Sequence, residues 1–305
     1  MVCINTVNEN DVAIIIVGLN AHDFVKGCLQ SILDAQWLDK SYEVIYVDNG
    51  SVDNSCVMVQ NEFPQVKLIA NDANLGFCKA ANQGADGSNS RYYYFINDDT
   101  LVVENAISLL VNYMDAHPDV GTTGSRLLYP DMTEQFSGRM FPSVMNALMG
   151  RRSLLSRLFP NSASLKKYLC SNQLSADTPF PVDWVSAAGQ IVRKSTFEKV
   201  GQFAEDYYYW HESVFCHRIS QQGQKVMLHP LSKIIHFEGK GSGARPFRSQ
   251  VFHIKDFNRG AFRCYCELHN LKWFHFSFWM SGCGLLFRAL ILLGLATIKI
   301  PFKRA

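Results

Sequence analysis

The chain has 305 residues, 48% of them hydrophobic and 18% charged, a globular composition that excludes disordered, fibrous and collagen-like chains. A net charge of +2 makes no electrostatic case for nucleic acid. That charge is unevenly placed, because residues 240–305 hold 11 Lys/Arg against 2 Asp/Glu, or +9, and the 239 residues before them hold 18 against 25, or −7. Nine cysteines, an odd number without repeated spacing or a CxxC pair, argue against a disulfide framework and against structural zinc. No basic segment followed by an apolar run opens the chain, so no signal peptide is expected and the cytoplasm is the expected location.

In chain order, Val12–Leu19 is apolar without alternation, as in a parallel strand covered on both faces. Phe24, Cys28, Leu29, Ile32 and Leu33 then follow helical spacing. Glu43–Val47 is a second strand, running into Asp48-Asn49-Gly50-Ser51. Asp53 stands where it could cap a helix carrying Val57 and Val59. Val66–Ala70 is a short third strand, and Phe77–Ala85 is helical. Tyr92–Ile96 is a fourth strand, ending at Asn97-Asp98-Asp99-Thr100. Glu104–Ala116 is an amphipathic helix with Ile107, Leu110, Val111 and Met114 inward. Strand–helix alternation predicts βαβ units and a mostly parallel sheet. Such sheets bind ligands at the carboxyl ends of their strands. Asn20, Asp48-Asn49, Asn74 and Asn97-Asp98-Asp99 all fall there and predict a site.

Beyond this half, Met140–Pro181 reads as a partly helical insertion bearing Arg151, Arg152, Arg157, Lys166 and Lys167. Val182–Arg193 is expected to form a strand crossing the site. A helix is expected over Glu212–Gln222, and strands over Lys225–Leu228 and Lys233–Phe237. Two carboxylates after an apolar strand suit Mg²⁺ or Mn²⁺, which prefer one or two carboxylates plus phosphate oxygens. A solvated Asp pair capping the Glu104 helix is the alternative.

Three stretches carry a resemblance. Asn97-Asp98-Asp99-Thr100 occupies the place of a DXD motif. Val47-Asp48-Asn49-Gly50-Ser51-Val52-Asp53 is similar to a Val-Asp-Asn-Gly-Ser-x-Asp signature. Asn74-Leu75-Gly76-Phe77, with Asn82 and Gly84, matches Asn-x-Gly-Phe-x-x-x-x-Asn-x-Gly. Together they resemble glycosyltransferase family 2, and the resemblance runs from Val12 to about Gly243 through Trp184, Gly201, Glu212, Arg218 and His236. It implies the GT-A fold, a Rossmann-like, mostly parallel sheet with helices on both faces, over residues 1–244, followed by a helical tail over 245–305. Within the family, Phe136–Pro142, Val182-Asp183-Trp184 and the tail Phe247–Tyr265 are similar to bacterial rhamnosyltransferases of surface-polysaccharide synthesis.

The resemblance also implies roles. Asp48 would accept the N3–H of a uracil or thymine base. Asn20, Asn74, the Gly76-Phe77 turn, Lys79 and Asn82 would serve the donor, with Lys79 on phosphate and Asn82 bracing the loop. Asp99 would be the direct metal ligand, with Asp98 nearer the sugar, and His236 a further ligand or a diphosphate partner. Trp184 would face the acceptor, and Arg218 would orient the acidic motif or bind phosphate. The family's Glu-Asp-x-Asp motif is altered at His211–Phe215, where Ser213 and Phe215 stand in place of carboxylates. The general base is then expected to be Glu212, and Ala204 replaces a further expected Asp.

Phe274–Ile298 is apolar and aromatic apart from Arg288, long enough to cross a bilayer. A span would leave Lys299, Lys303 and Arg304 outside, against the positive-inside tendency, so a helix lying in the interface is favoured, with Lys/Arg at headgroups and Trp/Phe below. A tail packed on its own domain or a dimer contact is the alternative. The expected function is inverting transfer of a sugar, rhamnose first, from a dTDP- or UDP-sugar to a saccharide or lipid-linked acceptor at the inner-membrane surface. A donor-binding member of a polysaccharide assembly complex without turnover is the alternative.

Overall fold

The computed structural model describes residues 10–141, 162–175, 177–238 and 247–297. The expected basic stretch Arg151, Arg152 and Arg157 and the terminal Lys299, Lys303 and Arg304 lie outside these residues. Strands β1 (Val12–Gly18), β2 (Tyr42–Asp48), β3 (Lys67–Ala70) and β4 (Tyr92–Asn97) alternate with helices α1 (His22–Leu33), α2 (Ser55–Glu62) and α3 (Phe77–Asp86). β1 pairs in parallel with β2 and β4, and β2 with β3. The strands lack alternation because both faces are covered. Ile14, Ile16, Tyr46 and Tyr94 pack with α1, α2 and α4 (Ala106–Ala116). Ile15, Val47, Phe95 and Val192 pack on the opposite face with α3, α6 (Lys194–Val200) and α7 (His211–Gln221).

The second half adds β5 (Thr100–Val102), β6 (Val120–Leu128), β7 (Gly138–Arg139), α5 (Ala163–Tyr168), β8 (Phe180–Pro181), β9 (Trp184–Val185), β10 (Gln190–Arg193) and β11 (Lys225–His236). The main sheet runs β3-β2-β1-β4-β10-β6-β11-β5, with β8 beside β11, and β7 pairs separately with β9. β10 is antiparallel to β4 and β6, whereas β6 and β11 are parallel. This is the expected mixed sheet, mostly parallel, with helices on both faces.

Three elements differ from the sequence reading. Val182–Arg193 is not one strand, because a 3₁₀ turn at Ala187–Gly189 separates β9 from β10. The two strands expected around Pro230 are one, with a register shift between His229 and Lys233, where proline withdraws a ladder donor. β6 carries little apolar signal, yet most of it is buried. Its glycines admit close neighbours: a Cβ on Gly121 would stand 2.6 Å from the Ile219 side chain, and one on Gly124 2.6 Å from Val185.

At the C-terminus, α8 (Phe247–Leu268) and α9 (Phe276–Thr297) form a hairpin, with Phe262 and Phe278 rings 5.0 Å apart. α8 docks on the body. Trp210 Nε1 donates to the Phe257 carbonyl at 3.2 Å, Arg218 Nε to Glu267 Oε1 at 3.3 Å, and Tyr207 OH to Glu267 Oε2 at 3.3 Å.

Candidate functional site

The polar strand ends are joined into one network. After β1, Asn20 takes a left-handed conformation, φ 52°. Its backbone N–H donates to Ser51 Oγ at 2.8 Å, and its Oδ1 accepts from Val52 N at 2.9 Å. After β2, Asp48 is 1% exposed. Its Oδ2 accepts the Ser51 N–H at 2.8 Å, while Oδ1 is buried without a hydrogen-bond partner among the described residues. Asn49 Nδ2 donates to Asn74 Oδ1 at 3.0 Å, and that oxygen also accepts Gly76 N–H at 2.9 Å. Gly50, at φ +84°, passes so close to the Ala73 backbone that a Cβ would stand 2.7 Å from it, so the loop requires glycine there. Gly76, at φ 85°, opens α3. One turn further on, Lys79 is exposed.

The acid corner follows β4. Burial and the neighbouring Asp99 push the Asp98 carboxyl up to about 7, against a hydrogen bond from the Leu19 backbone and the field of His236. Asp99 Oδ1 stands 3.2 Å from His236 Nε2. His236 ends β11 and is 8% exposed. Gln135 Nε2 donates to the His236 carbonyl at 2.5 Å, which turns Gln135 Oε1 toward His236 Nδ1 at 2.8 Å. An amide oxygen only accepts, so Nδ1 carries a proton, and in the neutral ring the lone pair is on Nε2. Asn97 Nδ2 lies 3.2 Å from the same Nε2. A lone pair and a carboxylate oxygen facing each other are served by a cation. Two ligands each about 2.1 Å from a divalent ion, at right angles, stand about 3.0 Å apart, so the observed 3.2 Å fits adjacent positions. Among the described residues, no three His, Cys, Asp or Glu side chains form a complete metal cage. The corner thus offers Asp99 and His236, and oxygens of a diphosphate could complete the shell.

Glu212 sits in the first turn of α7. Its side chain is 19% exposed, with Oε2 3.5 Å from His211 Nε2. Trp210, at φ 74°, turns the chain into the helix. The segment borders the Gly76-Phe77 turn, because the His211 ring lies 5.1 Å from that of Phe77 and Cys78 Sγ donates to the Tyr207 carbonyl at 3.3 Å. Ser213 is 0% exposed and Phe215 1%, the latter packed on Phe197 and Phe203. A carboxylate at either position would be buried without compensation. Glu212 is therefore the acid of this turn, and its side chain stays partly exposed.

The remaining expected residues serve the frame. Asn82 spends its amide on Phe203 and braces α3. Trp184 is 6% exposed. Its Nε1 donates to the Met140 carbonyl at 3.2 Å, and the Arg139 guanidinium lies 4.7 Å from its ring centre, so it backs the wall and shows little surface. Arg218 pairs with Glu267 of α8 and does not join the acid corner. The sequence reading missed Gln135, Asn97 as a partner of His236, and His211. Asn97 was legible beside the acid pair, whereas Gln135 carried no signal because its partner is 101 residues away.

The profile of Glycosyl transferase family 2 matches residues 13–170. A relative named N-acetylglucosaminyl-diphospho-decaprenol L-rhamnosyltransferase, from Mycobacterium tuberculosis, is 25% identical over 231 residues, covering 71% of this chain and 73% of that protein. The solved mannosyltransferase PcManGT from Pyrobaculum calidifontis, in complex with GDP-Man and Mn²⁺, aligns with a TM-score of 0.59 at 14% identity, covering 96% of this chain and 74% of that one. GalNAc-T7 with UDP, GalNAc and Mn²⁺ aligns with a TM-score of 0.59 at 12% identity, over 97% of this chain and 57% of that one. With the strand-end network and acid corner in the places the motifs require, the chain belongs to glycosyltransferase family 2 and has the GT-A fold.

Proposed function

We propose that the chain is an inverting transferase that moves a sugar, rhamnose first, from a dTDP- or UDP-sugar to a saccharide acceptor carried on a lipid diphosphate. The name of the mycobacterial relative supports both the sugar and the acceptor class. The observation that carries the reading is the Asp99–His236 pair at 3.2 Å beside Asp98, whose carboxyl is pushed up.

Asp48 offers its unpartnered buried oxygen to a pyrimidine N3–H. Asn20, Asn74 and Gly76 hold the backbone of the three loops around the nucleotide, and Lys79 is free to meet its phosphates. Asp99 and His236 would hold Mg²⁺ or Mn²⁺, whose chemistry is to neutralise charge on the departing diphosphate. Asp98 stands where the sugar hydroxyls would lie. Glu212 takes the proton of the acceptor hydroxyl as its oxygen bonds to the anomeric carbon. The bond from that carbon to the diphosphate oxygen breaks in the same step, and the nucleoside diphosphate leaves with the electron pair. Trp184 supports the acceptor wall from behind.

In this reading residues 1–244 form the transferase unit and 245–305 an addition that meets the cytoplasmic face of the inner membrane. The alternative of a donor-binding member without turnover takes its motive from Ser213, Phe215 and Ala204, and the partly exposed Glu212 beside them supports the transferase reading. A donor screen against a diphosphate-lipid acceptor, with Mg²⁺ or Mn²⁺ and with chelator, tests the reading. Divalent-dependent release of nucleoside diphosphate is expected, and binding of every donor without release would overturn it.

A further inference from the structure

Helix α9 carries a stretch, Phe276–Gly294, with mean hydropathy 1.7 and 6% of it buried. At 1.5 Å per residue, such a stretch spans about 28 Å, enough to cross a bilayer core. Two observations decide against crossing. Arg288 does not face outward: its Nη1 donates to Asn258 Oδ1 of α8 at 2.8 Å, and its guanidinium lies 5.1 Å from the Phe257 ring centre. Asn258 is 5% exposed, so the arginine is held inside the hairpin. In addition, α8 cannot follow α9 into hydrocarbon. It exposes Lys255 and Arg259 one turn apart and is fastened to the body through Tyr209, Trp210 and Arg218.

The outward face of α9 is a different surface. Phe276, Trp279, Met280, Leu286, Phe287 and Leu290 are 78%, 59%, 56%, 61%, 67% and 58% exposed, and with the exposed Cys283 between Met280 and Leu286 they continue one helical face at spacings of three and four, without a charge among them. Trp273 and Phe274, 71% and 66% exposed, extend this face at the hairpin turn. A large open apolar face needs a cover. The occupant must also suit the +9 charge of residues 240–305. An anionic lipid surface meets both demands: hydrocarbon for the aromatic and aliphatic face, and phosphates for a segment with an excess of lysine and arginine.

We infer that the α8–α9 hairpin is a monotopic anchor that lies flat on an anionic bilayer, with the open face of α9 down and Arg288 locked inward on Asn258. The inference deepens the reading of a lipid-linked acceptor. α8 also holds the Tyr209-Trp210 turn that leads into Glu212, so the anchor sets the height of the acceptor side above the lipid. A diphosphate-linked sugar standing out of the same bilayer then reaches the base without leaving its membrane.

The test uses the full chain and vesicles of phosphatidylethanolamine with phosphatidylglycerol. Flotation with these vesicles is expected, and the double variant Leu286→Glu, Leu290→Glu is expected to float about tenfold less while binding donor as the parent does. No flotation of the parent, or flotation unchanged in the double variant, overturns the anchor. Bimane placed on the exposed Cys283, and on cysteines in Phe276→Cys and Leu290→Cys, reports depth through brominated lipids. Equal, shallow quenching at the three positions is expected. Deep quenching peaking at Cys283 would overturn the flat arrangement. Donor binding by calorimetry separates the two readings, because its absence from a parent that still floats would overturn the transferase and leave the anchor standing.

Discussion

Asn82 and Phe203 form a closed pair across 121 residues: the Phe203 N–H donates to Asn82 Oδ1 at 3.1 Å, and Asn82 Nδ2 donates to the Phe203 carbonyl at 2.9 Å. Both residues are buried. The pair ties the helix behind the donor loop to the turn at Gly201-Gln202, where two successive residues take positive φ, and so to the stretch of chain leading to Glu212. Asn82→Ala leaves a buried N–H and a buried carbonyl unpaired. A loss of about 1–3 kcal/mol of stability is expected, read from urea midpoints, with the donor affinity of the folded fraction nearly unchanged. A collapse of donor affinity with stability intact would instead place Asn82 on the nucleotide.

Much of this arrangement is legible in the sequence, and the limit has a physical form. β1 and β4 are apolar on both faces, so their runs announce buried parallel strands, and the polar residues that end them announce the site. β6 escapes because Gly121, Thr122, Thr123, Gly124 and Ser125 are buried through close packing and hydrogen bonds and carry no apolar pattern. Ser213 looks like a lost base because a motif gives order along the chain and not direction of side chains. Only the helix phase shows that position 213 points into the core while 212 points out. Gln135, Asn97 and His236 come together through strand pairing across the sheet, which no local spacing reports.

That helix phase makes a prediction about the base. Glu212→Gln is expected to lower kcat about 10²–10⁴-fold with donor affinity within about twofold, measured by nucleotide release and by calorimetry. Ser213→Asp, which restores the acid that the motif suggests, is expected to give no gain in kcat and to lower Tm, since it places a carboxylate at a fully buried position where the serine hydroxyl itself finds no hydrogen-bond partner among the described residues. Recovery of turnover in Glu212→Gln, Ser213→Asp would show that the base belongs at 213.

A second ionic cluster lies at the start of β4 and governs acid stability. Burial alone would raise the Asp115 carboxyl, but hydrogen bonds from Arg91, Tyr92 and Lys40 outweigh it and hold it well below the usual carboxylate range. Arg91 also pairs with Asp11 at 2.5 Å, and Asp11 is lowered for the same kind of reason. A depressed folded value means that the unfolded chain takes up protons first as pH falls. The stabilisation is therefore complete above about pH 5 and is lost as pH drops below the unfolded value. Asp115→Asn is expected to lower Tm at pH 7 and to differ little from the parent near the acid limit, in thermal scans across pH. The pair is partly exposed, so salt is expected to weaken the difference.

The Asp99–His236 corner makes the sharpest prediction, because Gln135 would touch neither donor nor acceptor in the proposed reaction. It orients His236 by donating to that residue's carbonyl and accepting from its Nδ1, which leaves Nε2 aimed at Asp99. Asp99→Ala removes a ligand and is expected to abolish divalent-stimulated transfer. Gln135→Leu keeps both ligands but frees the ring to turn or change tautomer. Its half-saturating Mn²⁺ concentration is expected to rise about 10–100-fold, the usual effect of losing a partner that orients a ligand, with kcat at saturating metal close to that of the parent. A thermal shift by Mn²⁺ with nucleoside diphosphate, compared between parent and variant, reads the same change without turnover. If Gln135→Leu lowered kcat at every metal concentration and left half-saturation alone, His236 would be acting on the substrate and not on the ion.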